Sequence, residues 1–193
     1  MTESSREKFE RVSYHFREII KALGLDLTDQ NLTETPERVA KLYLEMFEGI
    51  VEGNEPDFTT FPNVEKYSSM VFVKDIPFYS MCSHHFVPFY GKAHMGYIPK
   101  DRILGISKLA RILEFYAKRP QLQERLTEQC VGYLWNTLQP LGAIVVVEAH
   151  HLCMEMRGVK KPGSLTVTSA IRGCFEDKAV REEFLDLLDR PSW

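Results

Sequence analysis

The hydrophobic period of this chain changes at about residue 67, and that change limits the fold more than any other feature. Before it, apolar residues recur at helical spacing. Phe9, Val12, Phe16, Ile19, Ile20 and Leu23 form one stripe, stopped by Gly24. Val39, Leu42, Tyr43, Met46 and Phe47 form a second, with Thr35 as cap and Pro36 at the first helical position. Residues 51–66, broken by Gly, Asn and two Pro, read as a loop. From residue 67 the pattern turns to β-branched and aromatic residues. Residues 67–81 predict a strand broken at Pro77, and residues 86–98 predict two short strands around Tyr90-Gly91. Two helices follow, one from Ser107 to Lys118 and one starting at Pro120 and carrying Leu122, Leu126, Val131, Leu134 and Leu138. Residues 143–156 and 164–172 predict two more strands, and a helix from about Lys178 to Leu188 closes the chain. Strand pair, helix pair and strand pair, flanked by helices, is an α+β pattern. It divides into a helical segment over 1–50 and a second unit over 51–193.

Composition narrows the class. A chain of 193 residues with 44% hydrophobic content can bury a core without disulfide staples. The longest apolar runs, such as Ala143 to Val147, fall far short of the roughly 20 residues a membrane span needs. The opening Met1-Thr2-Glu3-Ser4-Ser5-Arg6 carries no apolar signal region, so the expectation is a cytoplasmic protein with no membrane partner. The net charge of −3 argues against a surface built for nucleic acid. Cys82, Cys130, Cys153 and Cys174 then read as thiols or metal ligands rather than a disulfide framework.

Chemistry concentrates in two stretches. Cys82-Ser83-His84-His85 is followed shortly by His94, and His150-His151-Leu152-Cys153 lies some way downstream. Thiolate with imidazole suits Zn²⁺. Cys82 and His85 are three apart, so one turn can present both to one ion. If residues 143–156 are one strand, His151 and Cys153 point the same way, which makes Cys153 a third ligand with His151 beside the metal. Three protein ligands leave a position open, as in a catalytic site. Spacing alone serves equally well for a buried thiol and a hydrogen-bonded histidine pair. Cys130 and Cys174 read as small core residues, His15 as a partly exposed helical residue and His150 as structural. His94 receives no role.

Ser107 reads as a helix N-cap. Lys108 and Arg111 share one face beside it. Cations there oppose the helix dipole, a placement that makes sense if an anion binds to them and to the backbone N–H groups. A solvated basic face explains them too. Gln123-Glu124 can read a purine edge, although the pair is commonplace in a first helical turn.

Together these stretches closely resemble GTP cyclohydrolase I. The resemblance is carried by Thr35-Pro36-Glu37-Arg38-Val39-Ala40-Lys41, by Cys82-x-His84-His85-Phe86, by Gly91-Lys92-Ala93 and by Tyr97-Ile98-Pro99. It continues through Gly105-x-Ser107-Lys108-x-x-Arg111, Arg119-Pro120-Gln121-x-Gln123-Glu124-Arg125-Leu126-Thr127 and His151-x-Cys153-x-x-x-Arg157-Gly158, and covers about residues 35–190. It implies a tunnelling fold, in which strands and helix pairs of several subunits form a barrel. It also implies a homodecamer with active sites between subunits, residues 51–193 being the catalytic domain. The implied reaction turns GTP and water into 7,8-dihydroneopterin triphosphate and formate, the entry step of folate or biopterin synthesis. Carried over, Cys82, His85 and Cys153 would hold Zn²⁺. His84 would be the acid/base beside them and His151 a second proton-transfer residue. Gln123 and Glu124 would hold the guanine, with Ser107 near the reacting end. Lys108, Arg111, Arg157 and Arg38 would hold the triphosphate.

The family usually carries an acidic residue where this chain has Ser83. That removes one negative charge near the metal and bears on rate, metal affinity and pH optimum. Two neighbouring readings are a tunnelling-fold nitrile reductase that uses a cysteine nucleophile, and a zinc paralogue that binds GTP without turning it over. The Cys82, His85 and Cys153 set speaks against the first. The presence of both His84 and His151 speaks against the second.

Overall fold

The computed structural model describes residues 4–51 and 59–191. Helix α1 (Ser5–Ala22) opens with a capping box in which the Ser4 hydroxyl accepts from Glu7 N–H and the Glu7 carboxylate accepts from Ser4 N–H. Gly24 follows it in the left-handed region at φ +74°. Helix α2 (Thr35–Met46) starts one residue before the expected point, so Glu34 is the cap position and Thr35 and Pro36 lie in the first turn. The two helices pair through Arg17 and Glu37 at 2.6 Å and through an edge-to-face contact of Phe16 with Tyr43. Part of the expected loop over 51–66, residues 52–58, lies outside the described residues. The rest holds β1 (Thr60–Pro62), which pairs with β4 (Arg102–Leu104) in a small antiparallel ribbon.

The main sheet has the order β5-β2-β3-β6-β7. It is built from β2 (Val71–Cys82), β3 (Pro88–Ile98), β5 (Pro120–Gln121), β6 (Gly142–His151) and β7 (Leu165–Gly173). All neighbours are antiparallel except β5, which runs parallel to the end of β2. Two expectations fail here because what stands beside a local breaker decides whether it breaks the strand. Strand β2 runs straight through Pro77, because β5 reaches only Met81 and Cys82 and Pro77 stands at an open edge. Its irregularity lies earlier, between Val73 and Ile76, where Asp75 takes φ +58°. Strand β3 is also unbroken. Gly91 is not a turn residue there but a point of close approach, since a Cβ would fall 1.8 Å from Glu148 O on β6.

Alternation along the strands produces two cores. Phe89, Ala93, Met95 and Tyr97 on β3 face the same side as Ala143, Val145, Val147 and Ala149 on β6. Helices α3 (Ser107–Ala117) and α4 (Gln123–Leu138) cover that side with Leu109, Ile112, Leu113, Leu126, Val131 and Leu134. On the other side Ile144 and Val146 pack with Phe175 and with Phe184 of α6 (Lys178–Asp189). Among the described residues no helix is long and apolar enough to cross a membrane.

Candidate active site

Strands β2 and β3 are joined by a tight loop, and that loop carries the first chemical stretch. Cys82 N–H donates to Val87 O at 2.9 Å, while Cys82 O accepts from His85 N–H (3.3 Å) and Phe86 N–H (2.9 Å). The turn closes only because Phe86 takes φ +51°. It brings Cys82 Sγ to 3.7 Å from His85 Nδ1. Strand β5 fastens this loop from the side, since Ser83 N–H donates to Gln121 O at 2.9 Å.

The second stretch corrects the strand expectation. Strand β6 ends at His151, and Leu152–Glu155 forms a one-turn helix, α5. Cys153 therefore reaches the site from a helical turn, not by strand parity with His151. His150, on the opposite face of β6, ties α5 back through Glu155 at 3.1 Å. The ligand atoms of Cys82, His85 and Cys153 all lie within 4.8 Å of one another. Tetrahedral zinc, with bonds of about 2.3 Å to sulfur and 2.0 Å to nitrogen, would set a sulfur–nitrogen edge of about 3.5 Å. The observed 3.7 Å fits that geometry, and the S₂N donor set fits the metal. Burial pushes the Cys153 thiol above its ordinary range, and the neighbouring Cys82 sulfur adds to the effect. A bound divalent cation reverses both.

His151 is half-buried and lies flat on Phe89, its partner across β3 and β6, with ring centroids 4.7 Å apart and planes 2° apart. Burial lowers its pKa, with Glu124 and Glu155 opposing. His84 is exposed and meets His85 edge-on at 6.1 Å.

The remaining expected residues divide. Glu124 is exposed in the first turn of α4. Gln123 beside it is buried at 2% exposure and spends its amide inside the chain, on His151 and two strand carbonyls. Ser107 is the first residue of α3 rather than its cap, which is Ile106 and makes no side-chain bond. The N–H groups of Lys108 and Leu109 already donate to Gly105 O and Ile106 O. An anion at that helix start would depend on the Lys108 and Arg111 side chains more than on those backbone donors. Arg157 is exposed just after α5, and Arg38 pairs with Glu34 at 2.9 Å on the exposed side of α2. Residue order gave no sign of Phe89 beneath His151. Gln121, fully buried and bonded to Tyr116 O, Gln129 and Arg125, was visible only as part of a motif without a role.

A sequence profile of the family described as GTP cyclohydrolase I matches residues 12–189. The chain is 52% identical to GTP cyclohydrolase 1 of Clostridioides difficile over 181 residues, covering 93% of this chain and 95% of the relative. It is 50% identical to that of Streptococcus agalactiae over 188 residues (96% and 98%). It is 52% identical to that of Halalkalibacterium halodurans over 186 residues (95% and 98%). Among solved structures, an archaeosine synthase QueF-like protein in the apo form superposes with TM-score 0.47 at 20% identity, covering 56% of this chain and 97% of that one.

Proposed function

This chain belongs to the GTP cyclohydrolase I family, and on that premise we propose that it converts GTP and water into 7,8-dihydroneopterin triphosphate and formate, the entry step of folate or biopterin synthesis. The observation that carries the proposal is the convergence of Cys82, His85 and Cys153, with the half-buried His151 close along the chain. Cys82, His85 and Cys153 would hold Zn²⁺, which would supply Lewis acidity to make water nucleophilic near neutral pH.

The chain's own residues divide the remaining work. His84, exposed beside a ligand, gives and takes the protons that imidazole-ring opening and formate loss require. His151 moves protons in the ribose rearrangement. The Glu124 carboxylate accepts from the N–H donors of guanine. Lys108, Arg111, Arg157 and Arg38 answer the charge of the triphosphate, with Ser107 near the reacting end.

We further propose a cytoplasmic homodecamer with a tunnelling-fold barrel, residues 51–193 forming the catalytic unit and 1–50 the helical segment. Support comes from apolar side chains left uncovered in a single chain, such as Tyr14 and Leu42 on the N-terminal helices and Tyr79 and Val167 on the sheet. His84, Arg111, Glu124 and Arg157 are exposed as well, which suits a site completed by a neighbouring copy.

The test is turnover of GTP by metal-quantified protein, following formate and the fluorescent oxidised pterin together. Both products, lost on chelation and restored by zinc, are expected. Neither product at full metal occupancy would refute the enzyme reading in favour of a binding paralogue.

A further inference from the structure

Gln123 opens α4, yet its side chain turns inward. Its Nε2 lies 2.9 Å from Val147 O on β6 and 2.9 Å from Thr166 O on β7. Carbonyl oxygens only accept, so the amide can face one way, with both hydrogens spent on the sheet. Its Oε1 therefore faces His151 Nε2, 2.7 Å away. An amide oxygen also only accepts, so that ring nitrogen must carry a hydrogen.

We infer that Gln123 is a positioning residue that holds His151 as the Nε2–H tautomer and leaves Nδ1 as the one ring atom free to exchange a proton. The inference rests on the reading of His151 as a proton-transfer residue. Nε2 keeps its hydrogen in either charge state of the ring, so every proton His151 gains or loses passes through Nδ1. The stack on Phe89 sets the plane of the ring, and the bond to Gln123 sets its rotation within that plane. Gln123 is itself held by backbone on two strands. The next turn of α4 repeats the seam, with Thr127 Oγ1 at 2.8 Å from Gln123 O and 2.7 Å from Thr168 Oγ1. The network is buried and its amide hydrogens are all used, which gives it a single arrangement. It also removes Gln123 as a donor to a purine.

The test has two arms. In the zinc-loaded protein with ¹⁵N-labelled histidine, solid-state NMR is expected to show the neutral His151 ring protonated at Nε2 and bare at Nδ1, its signals assigned by their loss in His151→Gln. The reverse tautomer overturns the inference whether or not the protein turns over GTP, so this arm stands apart from the proposed function. In the kinetic arm, Gln123→Met should lower kcat by about 10²-fold with KM for GTP near the parent value. In the NMR arm Gln123→Met, which removes the acceptor facing Nε2, should let the neutral Nδ1–H tautomer of His151 appear. A raised KM at unchanged kcat would assign Gln123 to the guanine instead. An Nε2–H tautomer that persists unchanged in Gln123→Met would reduce Gln123 to packing, and either result overturns the inference.

Discussion

Replacing Gly91 by alanine tests the close contact of β3 with β6 directly. The new Cβ would lie 1.8 Å from Glu148 O and 2.7 Å from the Ala149 Cα, where side-chain carbons essentially never come closer than 3.0 Å. Both obstacles are backbone, so no rotamer change relieves them. Strands about 4.8 Å apart would have to separate by about 1 Å, enough to break the two nearest ladder bonds. Each lost bond costs about 1 kcal/mol net, and the groups left buried and unpaired add about 1–3 kcal/mol. The expected cost is about 4 kcal/mol, or a fall in melting temperature of about 8–16 °C for a chain of this size. Turnover should fall too, because Phe89 and His151, the next pair along the ladder on that face, share the disturbed segment. Gly132→Ala is the control. That glycine lies inside α4 with nothing within 4 Å of an added Cβ. The same methyl group should there raise stability by about 0.5–1 kcal/mol through helix propensity. Thermal melts of both variants at matched protein concentration give the comparison. A Gly91→Ala melt within about 2 °C of the parent would refute the close-contact reasoning.

Three other outcomes are expected. Cys153→Ala should lose bound zinc and turnover together, whereas His84→Ala should keep the metal by elemental analysis and lose turnover. Lys108→Ala with Arg111→Ala should weaken GTP binding far more than guanosine binding, read by calorimetry. Stability should fall with acidity through His94, which is buried, accepts from Asp75 N–H at 3.1 Å through Nδ1, and has its pKa lowered chiefly by burial. A folded pKa below the ordinary value of about 6.5 means that this stability is complete above pH 6.5 and drains as pH falls below it, at up to about 1.4 kcal/mol per pH unit. Glu148 and Asp75 oppose the lowering, and Lys92 and Lys74 reinforce it. Denaturation at several pH values should show a shallower acid slope in His94→Gln.

Periodicity places most helices to within a residue or two, because each buries a stripe that the spacing already displays; the helix expected from Pro120 starts only at Gln123, since Pro120 and Gln121 pair with β2 as β5. It misplaces what depends on a neighbour. Pro77 and Gly91 are breakers in isolation, and only the open edge beside one and the carbonyl beside the other explain the unbroken strands. The expected same-side placement of His151 and Cys153 rested on a strand that ends at His151. The ligands converge all the same, through a helical turn that no alternation predicts. In sequence Gln123 was half of a pair able to read a purine edge, of a kind commonplace in a first helical turn. Its burial depends on two carbonyls, one of them 43 positions away, and nothing in residue order brings them near.

The alternation along β6 also decides which kind of change this chain can inherit. His150 and His151 are neighbours in sequence but belong to opposite faces, one beside Tyr90 and Glu155 and the other on Phe89 and Gln123. Deleting or inserting one residue within Gly142–His151 would exchange them, and would exchange the valines of the two cores along with them. Substitutions within β6 are local events, but a change of length there rewrites both faces of the sheet at once. Length variation therefore belongs in connections such as residues 159–163, which lie exposed between α5 and β7.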